Sequence, residues 1–333
     1  MSTISMTENT KRTITTAAGL TLLVAGFTYS VMSGTVNIAF DDFVRVFSGV
    51  ETGGLYHVVM NIRIPRIIVG GLVGINLALS GAILQSILKN PLADPGIIGI
   101  SSGAGLSAMF VMILYPAVSH LVPFAAFLGA MGTAALIYML AYENGAHPLR
   151  LILAGVAISA FLGAFMTALM VLQSDKVQGT LSWMAGALNG RSWNHVQMIL
   201  PYSVIGVLGA FVCGKYLNIL ALGDDVAKGL GMSVEKSKLF MVILATMLAA
   251  SAVSVAGMLG FVGLIIPHIT RLMVGSDNRI LIPLSAVFGA LTVIIADTVA
   301  RTLFSPYELP VGVIMAFAGA PFFLYLLNRR VRK

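Results

Sequence analysis

"IIVGGLVGINLALSGAILQSIL", residues 67–88, runs between Arg66 and Lys89 without one charged side chain. A helix needs about 20 apolar residues to cross the hydrocarbon core of a bilayer. A charge at its centre costs about 2.5–3.5 kcal/mol on insertion scales. The stretch therefore reads as a spanning helix. Intervals of the same kind cover 13–40, 95–142, 151–174, 192–214, 239–270, 280–296 and 309–328. Two of them are too long for one helix. The first breaks at "YPAVSHLVP" (115–123), a turn with two prolines, and the second near "AGMLGFVG" (256–263), which holds three glycines. The splits give ten segments, of which those over 97–114 and 258–273 are short.

Composition agrees. The chain has 333 residues, 58% of them hydrophobic and 10% charged, where soluble domains carry about 25% charged residues. The expected architecture is all-α and polytopic, one membrane domain over 1–333. Cys213 is the single cysteine, which excludes an intramolecular disulfide and any multi-cysteine metal site. His57, His120, His147, His195 and His268 are scattered, and no pair has the i, i+4 spacing of a metal-binding helix. No metal or cofactor is expected on this chain.

The net charge of +7 reads as membrane topology, not as a nucleic-acid surface. Lys11 and Arg12 precede an apolar run of spanning length, so the N-terminus reads as an uncleaved first helix. Ten crossings put both termini on one side. Taken as cytoplasmic, that side holds fourteen of the 20 Lys and Arg residues, against six on the other. This is the positive-inside bias. It places "ALGDDVAKGLGMSVEKSK" (221–238), with six of the chain's 33 charged side chains, in the cytoplasm. Val226, Leu230 and Val234 stand at i, i+4 and i+8, and Gly223 and Gly231 punctuate. A short, mixed-charge helix bounded by glycines suits a groove on a soluble partner better than a lipid surface.

The remaining motifs each have a bland reading. "GAFVCGKY" (209–216) mimics P-loop spacing, but Tyr216 stands where a Ser or Thr hydroxyl is needed, and the stretch ends an apolar helix. Arg63 and Arg66 in "NIRIPRIIVGG" (61–71) stand at i, i+3 on a helix start, where snorkelling anchors are the simplest account. "LKNPLADPGIIGISSGAG" (88–105) forces a sharp turn. Pro267 leaves a backbone carbonyl unpaired and predicts a kink; His268 beside it reads as a packing histidine, with ligand or proton carrier as the alternative. Asp297 and Arg301, at i, i+4, are expected to pair on one helix face. "GGLVG" (70–74) and "GISSG" (99–103) permit close helix approach. "SGAILQSILKNP" (80–91) and "AGMLGFVGLIIP" (256–267) share a glycine ten positions before a proline, a hint of two related halves.

Taken together and in order, "IRIPR", "SGAILQSILKNPLADPGIIGISSGAG", "LGDDVAKGLG", "GFVGLIIPHITRLMVGSDNR" and "ADTVAR…ELPVGV" resemble the FecCD-type permeases of ABC importers for iron-siderophores, haem and cobalamin. The resemblance runs from about residue 60 to the C-terminus. It implies the type II importer permease fold, with about ten spanning helices, in a bacterial cell membrane. It implies three partners: a second permease, identical or related; a cytoplasmic ATPase dimer that uses ATP and Mg; and an external or periplasmic binding protein. It assigns the coupling loop, about 220–235, to Gly223, Asp224, Ala227, Leu230 and Gly231. It turns Arg63, Arg66 and Arg301 from anchors into docking residues for acidic side chains of the binding protein, and makes Asn90 and Leu92 candidates for a cytoplasmic gate. Where many relatives carry a histidine, this chain has Asn278, between Asp277 and Arg279.

The expected function is import of ferric siderophore complexes, with ATP hydrolysis in a separate subunit, so the chain itself is no enzyme. The competing reading is a secondary transporter driven by an ion gradient. That reading needs intramembrane carboxylates, and only Asp297 qualifies.

Overall fold

Helix follows helix along the computed structural model, which describes residues 8–34, 36–96, 99–142 and 148–331; no strand occurs among them. The chain begins with α1 (Glu8–Met32), then α2 (Phe40–Phe47) and α3 (Gly54–His57). A π-helical turn (Val58–Arg63) leads into α4 (Ile64–Ile87). There follow α5 (Ile100–Leu114), α6 (Val122–Ala141), α7 (Pro148–Leu172), α8 (Gln178–Met184) and α9 (Trp193–Ala221). The remainder is α10 (Asp224–Gly229), α11 (Val234–Ala256), α12 (Val262–Val274), α13 (Asn278–Thr302) and α14 (Val311–Val331). Seven helical stretches are long and apolar enough to cross a membrane, and α5, α12 and 311–325 of α14 are shorter apolar helices. The expected ten segments are all present. The breaks fall where the prolines and glycines put them, at 115–121 and 257–261, and the two short segments are α5 and α12.

Burial ranks the helices. The spanning window that contains α4 is 83% buried and that of α7 only 17%, so α4 is the central post and α7 lies at the rim. Around α4 pack α9, α11, α12 and α13. Lipid-like exposure of Leu153, Phe161 and Phe165 on α7 is expected where the surroundings are hydrocarbon. Backbones meet closely at several crossings, among them Gly103 of "GISSG" on α5 with Gly129 of α6, and two lie on α4. A methyl on Gly74 would collide with the Gly289 carbonyl of α13, and one on Gly81 with the Gly263 carbonyl at the start of α12. The first vindicates "GGLVG"; its partner Gly289 sits in no motif the sequence offered.

Several polar groups inside the bundle are paired across helices. Asn76 of α4 donates to Ser203 of α9 (2.8 Å) and Ser251 of α11 (2.9 Å), the kind of bond that fastens helices in lipid. Asn278 is 4% exposed and donates its side-chain and backbone N–H to Asn218 Oδ1, 2.9 Å each. It also accepts from Ser86 of α4. The departure at this position is thus a buried junction of α4, α9 and α13. Asp277 caps α13 by accepting from the Arg279 N–H; chiefly through Arg279, its carboxyl is held down at about 2.

Proline explains two local features. Pro65 has no N–H for the preceding turn, and there the helix widens so that the Ile64 N–H bonds Val59 O, five residues back. Pro267 sits inside α12 and frees the carbonyl four residues earlier, that of Gly263; Gln85 of α4 donates to it at 3.1 Å. The proposed echo between 80–91 and 256–267 does not survive. The first stretch is helix followed by turn, and the second is turn followed by helix, so the shared spacing marks no structural repeat.

Candidate functional site

Two polar regions occupy opposite ends of the bundle. The first surrounds α10. Gly223 (φ 118°) precedes it and Gly231 (φ 81°) follows the turn after it. Both conformations favour glycine, so this punctuation is as the spacing predicts. The apolar series does not share one face. Val226 and Leu230 point outward, 49% and 64% exposed, while Ala227 and Val234 are buried in the core against α9 and α11. Ala227 therefore supports the loop from within and is not a contact surface. The reason is that the helix stops at Gly229, so the i, i+4 register does not continue to Val234. Asp224 forms a 2.5 Å bond with Lys238 of α11 and stands 3.9 Å from Lys89. Burial pushes the Asp224 carboxyl up, but Lys238, then Lys89 and Lys228, prevail and hold it below its usual range.

Beside α10 runs the 88–96 turn. Asn90 and Leu92 are half-buried on it, and Asn90 Oδ1 accepts the Leu92 N–H at 3.0 Å. Lys89 adopts φ 49°, uncommon for a residue with a β-carbon. The turn folds back along α4 to Asp94, which is buried and accepts the Gly96 N–H at 2.8 Å. Burial pushes the Asp94 carboxyl up to about 6, opposed by hydrogen bonds from the Gly96 and Leu264 amides. Asp94 Oδ2 lies 3.1 Å from where a methyl on Gly263 would sit, so the carboxylate rests against the start of α12, remote in sequence.

The second region is a cluster of arginines at the opposite end. Arg66 donates from Nε and Nη2 to the two carboxylate oxygens of Asp297, 2.9 Å each, and from Nη1 to Glu308 at 2.8 Å. Arg63 donates to the Val31, Met32 and Val36 carbonyls. Arg301 donates to the carbonyl and hydroxyl of Ser30. The expected Asp297–Arg301 pair is corrected: Asp297 belongs to Arg66 of α4, and Arg301 reaches across to α1. The spacing rule sees one helix, whereas two bidentate bonds to a guanidinium are the stronger arrangement. Nor are the three arginines presented at the surface. Arg63, Arg66 and Arg301 are 5%, 8% and 4% exposed, because the chain's own carbonyls and carboxylates take their donors. Arg191 belongs here too; burial, then the charge of Arg66, hold it below the usual range. Four cations thus face two carboxylates. Glu308 and Arg191 escaped sequence reasoning; the "ELPVG" stretch contained Glu308 without showing its partner.

His268 lies edge-on to Phe322, with ring centroids 6.4 Å apart, in agreement with packing. "GAFVCGKY" lies within α9, which offers no phosphate-binding loop.

The fold as a whole has counterparts among known proteins. A model of the FecCD transport family matches residues 22–329. The chain belongs to the FecCD transport family. Among curated members, the iron(3+)-hydroxamate import system permease protein FhuG of Bacillus subtilis is 39% identical, over 97% of this chain and 99% of that one. The cobalamin import system permease protein BtuC of Halobacterium salinarum is 43% identical over 82% of this chain and 74% of its own. A solved inward-facing structure of a metal-chelate type ABC transporter superposes with TM-score 0.84 and 28% identity, covering 94% of this chain and 98% of that one. As a FecCD member the chain is a multi-pass membrane protein and an ABC importer permease, a transport subunit and not an enzyme.

Proposed function

We propose that this permease imports ferric siderophore complexes, of which hydroxamates are the first class to test, across a bacterial plasma membrane. A paired permease completes the path, a cytoplasmic ATPase dimer drives it, and an external binding protein supplies the chelate. Both termini and α10 face the cytoplasm in this reading. The single observation that carries it is α10 itself: a short helix held by Asp224 and Ala227 that displays Val226 and Leu230 on the basic face. The hydroxamate assignment leans on the relative aligned over nearly its whole length.

The binding protein docks at the arginine end. Since Arg63, Arg66 and Arg301 are enclosed, docking proceeds by exchange: a partner carboxylate displaces Glu308, whose side chain is 33% exposed, from Arg66. The surplus of cations over carboxylates there favours an acidic partner. Asn90 and Leu92, on the turn beside α10, serve as the cytoplasmic gate.

The ion-gradient alternative loses its one carboxylate, because both oxygens of Asp297 are engaged by Arg66. No residue performs bond chemistry in this scheme; ATP and Mg belong to the partner. The test is a substrate panel. The reconstituted importer should take up a labelled ferric hydroxamate and leave haem and cobalamin outside. Uptake of haem or cobalamin alone overturns the substrate assignment.

A further inference from the structure

The 88–96 turn is fastened at both ends, towards α10 at one and towards α12 at the other. At one end Lys89 stands 3.9 Å from Asp224, the first residue of α10. In the middle the turn holds its own shape: Asn90 N–H bonds Gln85 O, and Ala93 N–H bonds Asn90 O, 3.1 Å each. At the other end the start of α12 is gripped through its carbonyls. Asp94 Oδ2 lies 3.1 Å from where a methyl on Gly263 would sit. The Gly263 and Leu264 carbonyls accept from Gln85 Nε2 at 3.1 and 3.2 Å. Gln85 Nε2 also faces the Ala93 carbonyl at 3.4 Å, and its Oε1 faces Arg271 of α12 at 3.4 Å. Gly81 and Gly263 in backbone contact leave no slack between α4 and α12.

Satisfying these groups in this way has a physical cause. Pro267 frees the Gly263 carbonyl, and every helix start leaves its first N–H groups without an internal partner. Buried, such groups cost free energy unless paired. The chain pairs the freed carbonyl with Gln85, which also braces Ala93 of the 88–96 turn, so the start of α12 is tied to the turn. Packed elements of this kind shift between discrete arrangements and do not stretch.

We propose that the 88–96 turn transmits motion of α10 to α12, with Lys89 as the input contact and Asp94 and Gln85 as positioning residues at the output. This rests on the reading of α10 as the ATPase-coupling helix and adds to it the route by which coupling reaches the interior. Spatial continuity alone does not establish such a route, so the prediction concerns the ratio of transport to hydrolysis.

The experiment reconstitutes the importer with its ATPase and binding protein and counts labelled ferric hydroxamate imported per ATP hydrolysed. Asp94→Leu removes the carboxylate that rests against the start of α12 and should lower the ratio about tenfold, within the reach of coupling mutations, with the ATPase still co-purifying. Asp94→Asn keeps an acceptor oxygen and should recover most of that loss. Lys89→Asn tests the input without endangering the fold, since Lys89 is exposed and Asn tolerates positive φ. It should lower the ratio about threefold, as befits one exposed ion pair. A wild-type ratio in Lys89→Asn and Asp94→Leu overturns the proposal. So does a proportional fall of transport and hydrolysis in Asp94→Leu that Asp94→Asn shares in full. Should Asp94→Leu not fold, the Lys89→Asn ratio decides alone. Failure of the wild-type chain to bind an ATPase would instead sink the coupling reading beneath it.

Discussion

Arg66 and Asp297 show what one pair of side chains contributes. Both are nearly inaccessible, joined by two 2.9 Å bonds between α4 and α13. Removing one partner of a buried ion pair costs about 3–5 kcal/mol, because the other charge is left uncompensated. Asp297→Ala should lose about that much stability, read as a fall in unfolding temperature of the purified permease. Arg66→Met combined with Asp297→Leu should recover most of it. A double variant as weak as the single contradicts the pairing. The sequence offered Asp297 a different partner, since only its own helix was in view; the true one lies 231 positions away. The exchange model makes a second prediction here. Glu308→Gln should strengthen binding of the external receptor about fivefold, in the direction that freeing a charged donor demands. Unchanged affinity in a binding titration counts against exchange.

At the level of elements, glycines and turns set the packing. Gly289→Leu should prise α13 from α4. Overpacking costs about 1–3 kcal/mol where side chains can shift, and more is expected here because the obstacle is backbone. Gly132→Ala is the control, with open space around its position. Equal thermal stability of the two variants contradicts the close crossing. Just after α10, Leu230→Glu should weaken ATPase association by about 2 kcal/mol, the size of an interface anchor, without unfolding the permease, because Leu230 is exposed. Retention of the ATPase at wild-type affinity argues against α10 as the contact. Ala227→Trp acts differently: at 0% exposure it has no room and should disorder the loop.

Across the whole molecule, the number of helices and their breaks were legible because lipid imposes a blunt rule: charge-free runs of fixed length, with Pro and Gly at the interruptions. Gly223 and Gly231 were legible because their backbone angles demand glycine. Inter-helix partners were not. Gln85 with Gly263, Asn76 with Ser203 and Arg66 with Glu308 join residues whose spacing in sequence carries no period, and only the assembled bundle brings them together. The arginines were found but their exposure was misjudged, since burial depends on carbonyls supplied by α1 and by Val36.

The claim on which all of this depends is that a separate ATPase, gripping α10, powers import. Its most direct measurement is uptake of a labelled ferric hydroxamate by proteoliposomes that hold the permease, with ATP and the ATPase inside and the binding protein outside. Uptake should require hydrolysable ATP and persist when an ionophore collapses the proton gradient. Uptake that continues without the ATPase and stops with the gradient contradicts the account.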